Sequence, residues 1–130
     1  MEPRRKEILC FCYDRSMLQV RQMLLEHFGY VVHPISSPED AASLIQDRCP
    51  DMLLMDDNDS GNDFEQLAAQ VKRICPEVIT VMLSPFYYVK ANSDSIDCVV
   101  SKDDGPDALL SQIEELFGEG KLRRSEARPV

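Results

Sequence analysis

Residues Pro50 to Gly61 read PDMLLMDDNDSG: a short apolar run ends on Asp56, Asp57 and Asp59, with Asn58 between them and Gly61 to turn the chain. A carboxylate at the end of a buried strand can attack a phosphoryl group and carry it as an acyl phosphate. That chemistry needs positive charge beside the incoming dianion. A lysine ammonium is one source, and Lys102 follows the apolar run that ends at Ser101. A hard cation such as Mg²⁺, held by one or two carboxylates, a carbonyl and waters, is the other. Ser84 offers a hydroxyl to a third phosphoryl oxygen. Asp56, Ser84, Lys102 and a metal are chemically sufficient for phosphoryl transfer. Each has a plainer reading: an aspartate after a strand caps helices, Ser84 before Pro85 suits a turn, and Lys102 can snorkel to solvent. Their coincidence at successive strand ends favours the chemical reading.

The elements that must position these residues follow from pattern and punctuation. Ile8 to Cys12 is a continuous apolar run, as in a strand buried on both faces. Met17, Val20, Leu24 and Phe28 are spaced as the inner stripe of a helix stopped by Gly29. A second strand starts at Tyr30, and Ser37, Pro38 and Asp40 open a helix with an N-cap, a first-turn proline and an acidic capping-box residue. Met52 to Met55 is a third strand, followed by a helical stripe of Phe64, Leu67, Ala68, Val71 and Ile74. Val78 to Leu83 and Ile96 to Ser101 are the last strands, and Leu109, Leu110, Ile113, Leu116 and Phe117 line a final helix. Between them, Pro85 to Ser95 has a poor, short helical pattern, with Phe86, Tyr87 and Tyr88 as core or partner patch. Strand and helix alternate with crossover connections, which predicts an α/β fold: a parallel sheet with helices on both faces. Ligands bind such sheets beyond the carboxyl ends of the strands. Tyr13, Asp14, Asp56, Asp57, Asn58, Ser84 and Lys102 should therefore converge on one crevice.

Composition limits the partners. The chain has 130 residues, the length of one domain, expected over 1–118 with a polar, fraying tail over 119–130 that carries Lys121, Arg123, Arg124 and Arg128. The net charge of -9 opposes direct binding to nucleic acid. No apolar run approaches the length of a membrane span, and the start is too short in apolar residues for a secretion signal, so a cytoplasmic protein is expected. Cys10, Cys12, Cys49, Cys75 and Cys98 are scattered, which suggests neither a disulfide framework nor a zinc site but free thiols, Cys10 and Cys12 on one face of a strand. His27 and His33 are isolated, and no Ser-His-Asp or Cys-His arrangement includes them.

These residues resemble a family. Order and spacing from Glu7 to Phe117 are similar to the receiver domain of two-component response regulators, the CheY-like domain. The PDMLLMDDNDSG segment resembles the family's Pro-Asp-(four apolar)-Asp-x-x-x-Pro-Gly, VMLS ending at Ser84 resembles the strand that closes on its Thr or Ser switch, and VVSK resembles the strand that ends on its lysine. HFGY before the second strand and SSPEDA after it are similar too. The resemblance implies a flavodoxin-like, doubly wound five-stranded parallel sheet in the order 2-1-3-4-5. It implies Asp56 as phosphoacceptor, Ser84 and Lys102 as its companions, and Mg²⁺ held by Asp56, the carbonyl of Asn58 and Asp14. It further implies a regulatory protein rather than an enzyme. A histidine kinase or phosphotransfer protein would be the donor and a downstream protein the target, with a monomer or weak homodimer as the assembly. With no output segment after Phe117, a stand-alone receiver acting through a partner is expected.

Three departures from the family pattern stand out. The acidic pair after the first strand falls on Cys12 and Tyr13, leaving Asp14 as the neighbouring carboxylate, so metal affinity should suffer. Asp103 replaces the proline after the lysine, so a trans peptide is the default and Lys102 is expected to aim differently. The interval from Ser84 to Lys102 is short by about one helical turn, which shortens the fourth helix, and Val99 stands where a switch aromatic is usual. Two alternatives stay open: a degenerate receiver working by protein contact without phosphorylation, and a phosphatase similar to the haloacid dehalogenases. In the latter Asp57 would be the nucleophile and Asp59 the general acid, with Lys102, Asp103 and Asp104 in support.

Overall fold

Five of the apolar stretches become strands: β1 (Glu7–Phe11), β2 (Val31–Ile35), β3 (Met52–Asp56), β4 (Ile79–Ser84) and β5 (Cys98–Ser101). The helices are α1 (Arg15–His27), α2 (Pro38–Asp47), α3 (Asp63–Ile74) and α4 (Gly105–Phe117). The computed structural model describes residues 5–56, 63–84 and 94–118. All strand pairs are parallel and the sheet order is β2-β1-β3-β4-β5. This is the doubly wound, flavodoxin-like order that the resemblance implies.

Both faces of the central strands are covered, so β1 and β3 are buried at every position. Side chains alternate between the faces, as the pleat requires. Ile8, Cys10, Cys12, Met52 and Leu54 pack with Leu18 and Leu25 of α1 and Leu109 and Ile113 of α4. Leu9, Phe11, Leu53 and Met55 pack on the other face with Ala41 and Ile45 of α2 and Phe64, Leu67, Ala68 and Val71 of α3. Cys10 and Cys12 do share a face. Asp14 starts α1 as its N-cap, its Oδ1 accepting from the backbone N–H groups of Ser16 and Met17. Gly29 ends the turn after the helix at φ 97°, a conformation that a side chain would strain. Asp97 fixes the entry to β5, accepting from the Thr80 N–H at 2.9 Å and pairing with Lys72 at 2.9 Å.

The inner face of α1 differs from the expected one. Met17, Val20 and Phe28 are 37%, 57% and 55% exposed, whereas Leu18 and Leu25 are buried. Both sets have helical spacing, but the inward set carries Arg21 in its middle turn. Periodicity reads an arginine as outward, and only its buried partner makes this stripe fit the core. At the end of α3 the inward residue is Cys75 rather than Ile74, which is 50% exposed.

The expectation of five free thiols is also corrected: Cys49 and Cys75 form a disulfide across 26 residues of sequence. Parallel strands force α3 to return to the edge where β3 begins, and this brings the Cα atoms of the two cysteines to 5.7 Å. Spacing along the chain carries no trace of that meeting. Cys10, Cys12 and Cys98 remain thiols. The shortened helix expected between β4 and β5, the Phe86–Tyr88 cluster and the 119–130 tail lie outside the described residues.

Candidate functional site

Asp56 is the last residue of β3, the middle strand of the sheet, and only 2% exposed. Its position opposite Leu83 places Ser84, the last residue of β4 and also buried, one step further along the neighbouring strand. Ser84 is in turn level with Ser101 at the end of β5. Three strand ends thus lie side by side at the carboxyl edge of the sheet, where the topology favours a ligand site.

Lys102 follows β5 in a 3-10 turn, Lys102–Asp104, that the Ser101 side chain caps by accepting from the Asp103 N–H at 3.1 Å. Its ammonium lies against Oδ1 of Asp56 as an ion pair. No described peptide bond is cis. A trans Lys102–Asp103 bond therefore does not turn the lysine away, contrary to the expectation from the missing proline.

The second cation was not legible from motif spacing. Arg21, from the middle of α1, donates from Nη2 to Oδ2 of Asp56 at 2.6 Å, and its side chain is only 13% exposed. Both carboxylate oxygens therefore face a basic group, one from each end of the chain. Arg21 Nε is buried with no hydrogen-bond partner among the described residues. The one sequence signal for Arg21 is its place between Leu18 and Leu25 at spacings of three and four.

The end of β1 has no acid. Cys12 is buried, and its thiol is pushed up from the ordinary range by that burial, then by the negative charge of Asp56. Cys10 is pushed up to about 12, again mainly by burial. Tyr13 is 39% exposed, its ring edge-on to Phe11 at 4.9 Å between centroids. Beside it, between α2 and α3, a cleft of about 440 Å³ lined by Gln66 and Gln70 does not include Asp56. Asp14 is exposed and serves as the α1 cap. Asn58, Asp57 and Asp59 lie outside the described residues.

The described part of this donor set does not by itself fit Mg²⁺. A hard dication takes oxygen ligands, commonly one or two carboxylates with water. Here the buried carboxylate is already paired twice, the adjoining positions hold a protonated thiol and a phenol, and Asp14 caps its helix. Among the described residues no group of three His, Cys, Asp or Glu side chains could hold a metal ion.

The fold is that of receiver domains. A CheY-like response regulator receiver domain from Methanospirillum hungatei JF-1 is similar with a TM-score of 0.77 at 20% identity, over 92% of this chain and 99% of that one. The signal receiver domain of an HD domain-containing protein from Pseudomonas fluorescens Pf-5 is similar with a TM-score of 0.79 at 22% identity, over 97% and 96%. The response regulator protein TrrA from Thermotoga maritima, solved in complex with Mg(2+)-BeF, is similar with a TM-score of 0.74 at 18% identity, over 85% and 98%. No protein-family model matches the sequence, and no curated protein matches it.

Proposed function

We propose that this chain is a receiver module of two-component signalling, in which Asp56 accepts a phosphoryl group from the phosphohistidine of a histidine kinase or phosphotransfer protein. The observation that carries this reading is a buried carboxylate at the end of the middle strand with a cation on each oxygen. One oxygen attacks phosphorus, the bond from phosphorus to nitrogen breaks, and the imidazole departs with the electron pair. Lys102 and Arg21 stabilise the charge that builds on the phosphoryl oxygens, and the Ser84 hydroxyl donates to one of them. The new charge at the carboxyl edge changes which downstream protein the surface binds. The role is regulatory rather than enzymatic and belongs in the cytoplasm. No described helix is long and apolar enough to cross a membrane.

Incubation with acetyl phosphate, followed by intact-mass measurement and peptide mapping, tests this. The expected result is a gain of one phosphoryl group on Asp56, absent from Asp56→Asn.

A second reading is favoured by the same two ion pairs, because a carboxylate already neutralised on both oxygens is a weakened nucleophile. In it, the receiver fold binds its partner without phosphorylation. Partner binding by Asp56→Asn at wild-type strength, with no mass gain in the wild type, would favour this reading. The phosphatase alternative rests on Asp57 and Asp59, and no described geometry supports it.

A further inference from the structure

We infer that Arg21 is the resident cation of the Asp56 site, doing with a side chain what a divalent metal would otherwise do, so that phosphoryl transfer to Asp56 proceeds without metal. The inference rests on the phosphoacceptor reading and adds to it a catalytic residue and a cofactor independence. Three observations converge. The guanidinium is already on Asp56 Oδ2 at 2.6 Å, delivered by a helix whose inward face is otherwise apolar. The described residues near Asp56 give no oxygen-rich metal cage, and the β1 end that borders it presents Cys12 and Tyr13. Finally, Arg21 Nε is a buried donor with no hydrogen-bond partner among the described residues.

Charge balance gives the direction. Asp56 brings one negative charge to the two cations on its oxygens. An aspartyl phosphate carries a charge of about −2 near neutral pH, so the same two cations would then be matched. A planar guanidinium suits that state better than a point charge, because its fork meets two phosphate oxygens at once. The unpartnered Nε is the donor left over for the second oxygen. The spare donor is unfavourable in the unmodified protein, and the phosphoryl group would satisfy it.

The step balances without a metal. With phosphoramidate as donor, a carboxylate oxygen of Asp56 forms the new bond to phosphorus. The bond from phosphorus to nitrogen breaks, and ammonia leaves with the electron pair, drawing no further proton from the protein.

The test is phosphorylation of the full chain by phosphoramidate, followed by intact mass, in excess chelator and in Mg²⁺. Wild-type protein and Arg21→Ala and Arg21→Lys variants would be compared after circular dichroism confirms folding. The wild type should gain one phosphoryl group at the same rate in both buffers. Arg21→Ala should be slowed about 100-fold or more in chelator, and Arg21→Lys less. Independently of any variant, tyrosine fluorescence of the wild type, which has no tryptophan, should be unmoved by millimolar Mg²⁺. A mass gain that requires Mg²⁺, or one undiminished in Arg21→Ala in chelator, overturns the inference and leaves the phosphoacceptor reading standing. No mass gain in either buffer removes both.

Discussion

Glu7 at the start of β1 and Asp56 at the end of β3 are both carboxylates sunk in the sheet, and each is gripped by two basic side chains. Glu7 is paired with Arg48 at 2.7 Å and His33 at 3.1 Å, and those partners are 51% and 40% exposed. Asp56 is paired with Arg21 and Lys102, which are 13% and 26% exposed. At Glu7, water screens the interaction and the cluster acts as a strap, helped by Asp51, which accepts from the Glu7 N–H at 2.8 Å. Asp56 instead has partners that are mostly covered, and a buried ion pair gains little stability over apolar packing. Equal chemistry at the two edges thus serves different ends. The amino edge is tied by well-exposed partners, while the carboxyl edge holds its charges largely out of water.

The largest break in this comparison comes from Asp56→Ala, which removes the carboxylate that Arg21 and Lys102 share and should destabilise the protein by about 3–5 kcal/mol in urea unfolding. Adding Arg21→Leu should recover most of that loss, since an apolar side chain of similar size suits the α1 stripe. A loss below about 1 kcal/mol would mean that the pair is solvated in solution.

Reduction of the Cys49–Cys75 disulfide comes next, with an expected loss of about 2–4 kcal/mol. Cys49 adjoins Arg48, so the effect should concentrate on the amino edge: amide exchange should quicken around Glu7 and 48–51 and stay unchanged at 54–56. Faster exchange at Asp56 would show that the edges are coupled.

The third effect is alkaline. Because the folded Cys10 thiol is raised from 9.0 to about 12, the unfolded chain loses its proton first. Stability is therefore intact below pH 9.0 and falls between pH 9.0 and about 12. The slope for that thiol is about 1.4 kcal/mol per pH unit. Cys10→Ala should flatten the slope, and equal slopes would refute the assignment. The smallest effect belongs to Glu7→Gln, about 0.2–1 kcal/mol, shrinking further in high salt. A loss as large as that of Asp56→Ala would erase the distinction between the two clusters.

Much of the architecture is legible in the sequence. Continuous apolar runs in β1 and β3 announce strands covered on both faces, and Ser37, Pro38 and Gly29 mark helix ends. Asp56, Ser84 and Lys102 were legible as strand-end residues, and the sheet brings their strand ends together. What escaped was Arg21. Met17, Val20, Leu24 and Phe28 offer the more apolar stripe, and pattern reading prefers it because a lone arginine is costly to bury. The ion pair with Asp56, 35 residues away, reverses that preference. Cys49 and Cys75 escaped for a related reason, since their meeting depends on the return path of α3.

The sequence by itself determined which segments are strands, which residues terminate them, and that a carboxylate, a hydroxyl and an ammonium stand at three successive ends. Those are local properties, written in hydrophobic period and turn chemistry. Only the tertiary structure decided the rotation of α1 and the pairing of two distant cysteines, and with them the electrostatic state of Asp56. These depend on through-space partners, and one charge placed within 3 Å of another in a dry interior outweighs the pattern preference of a whole helical turn.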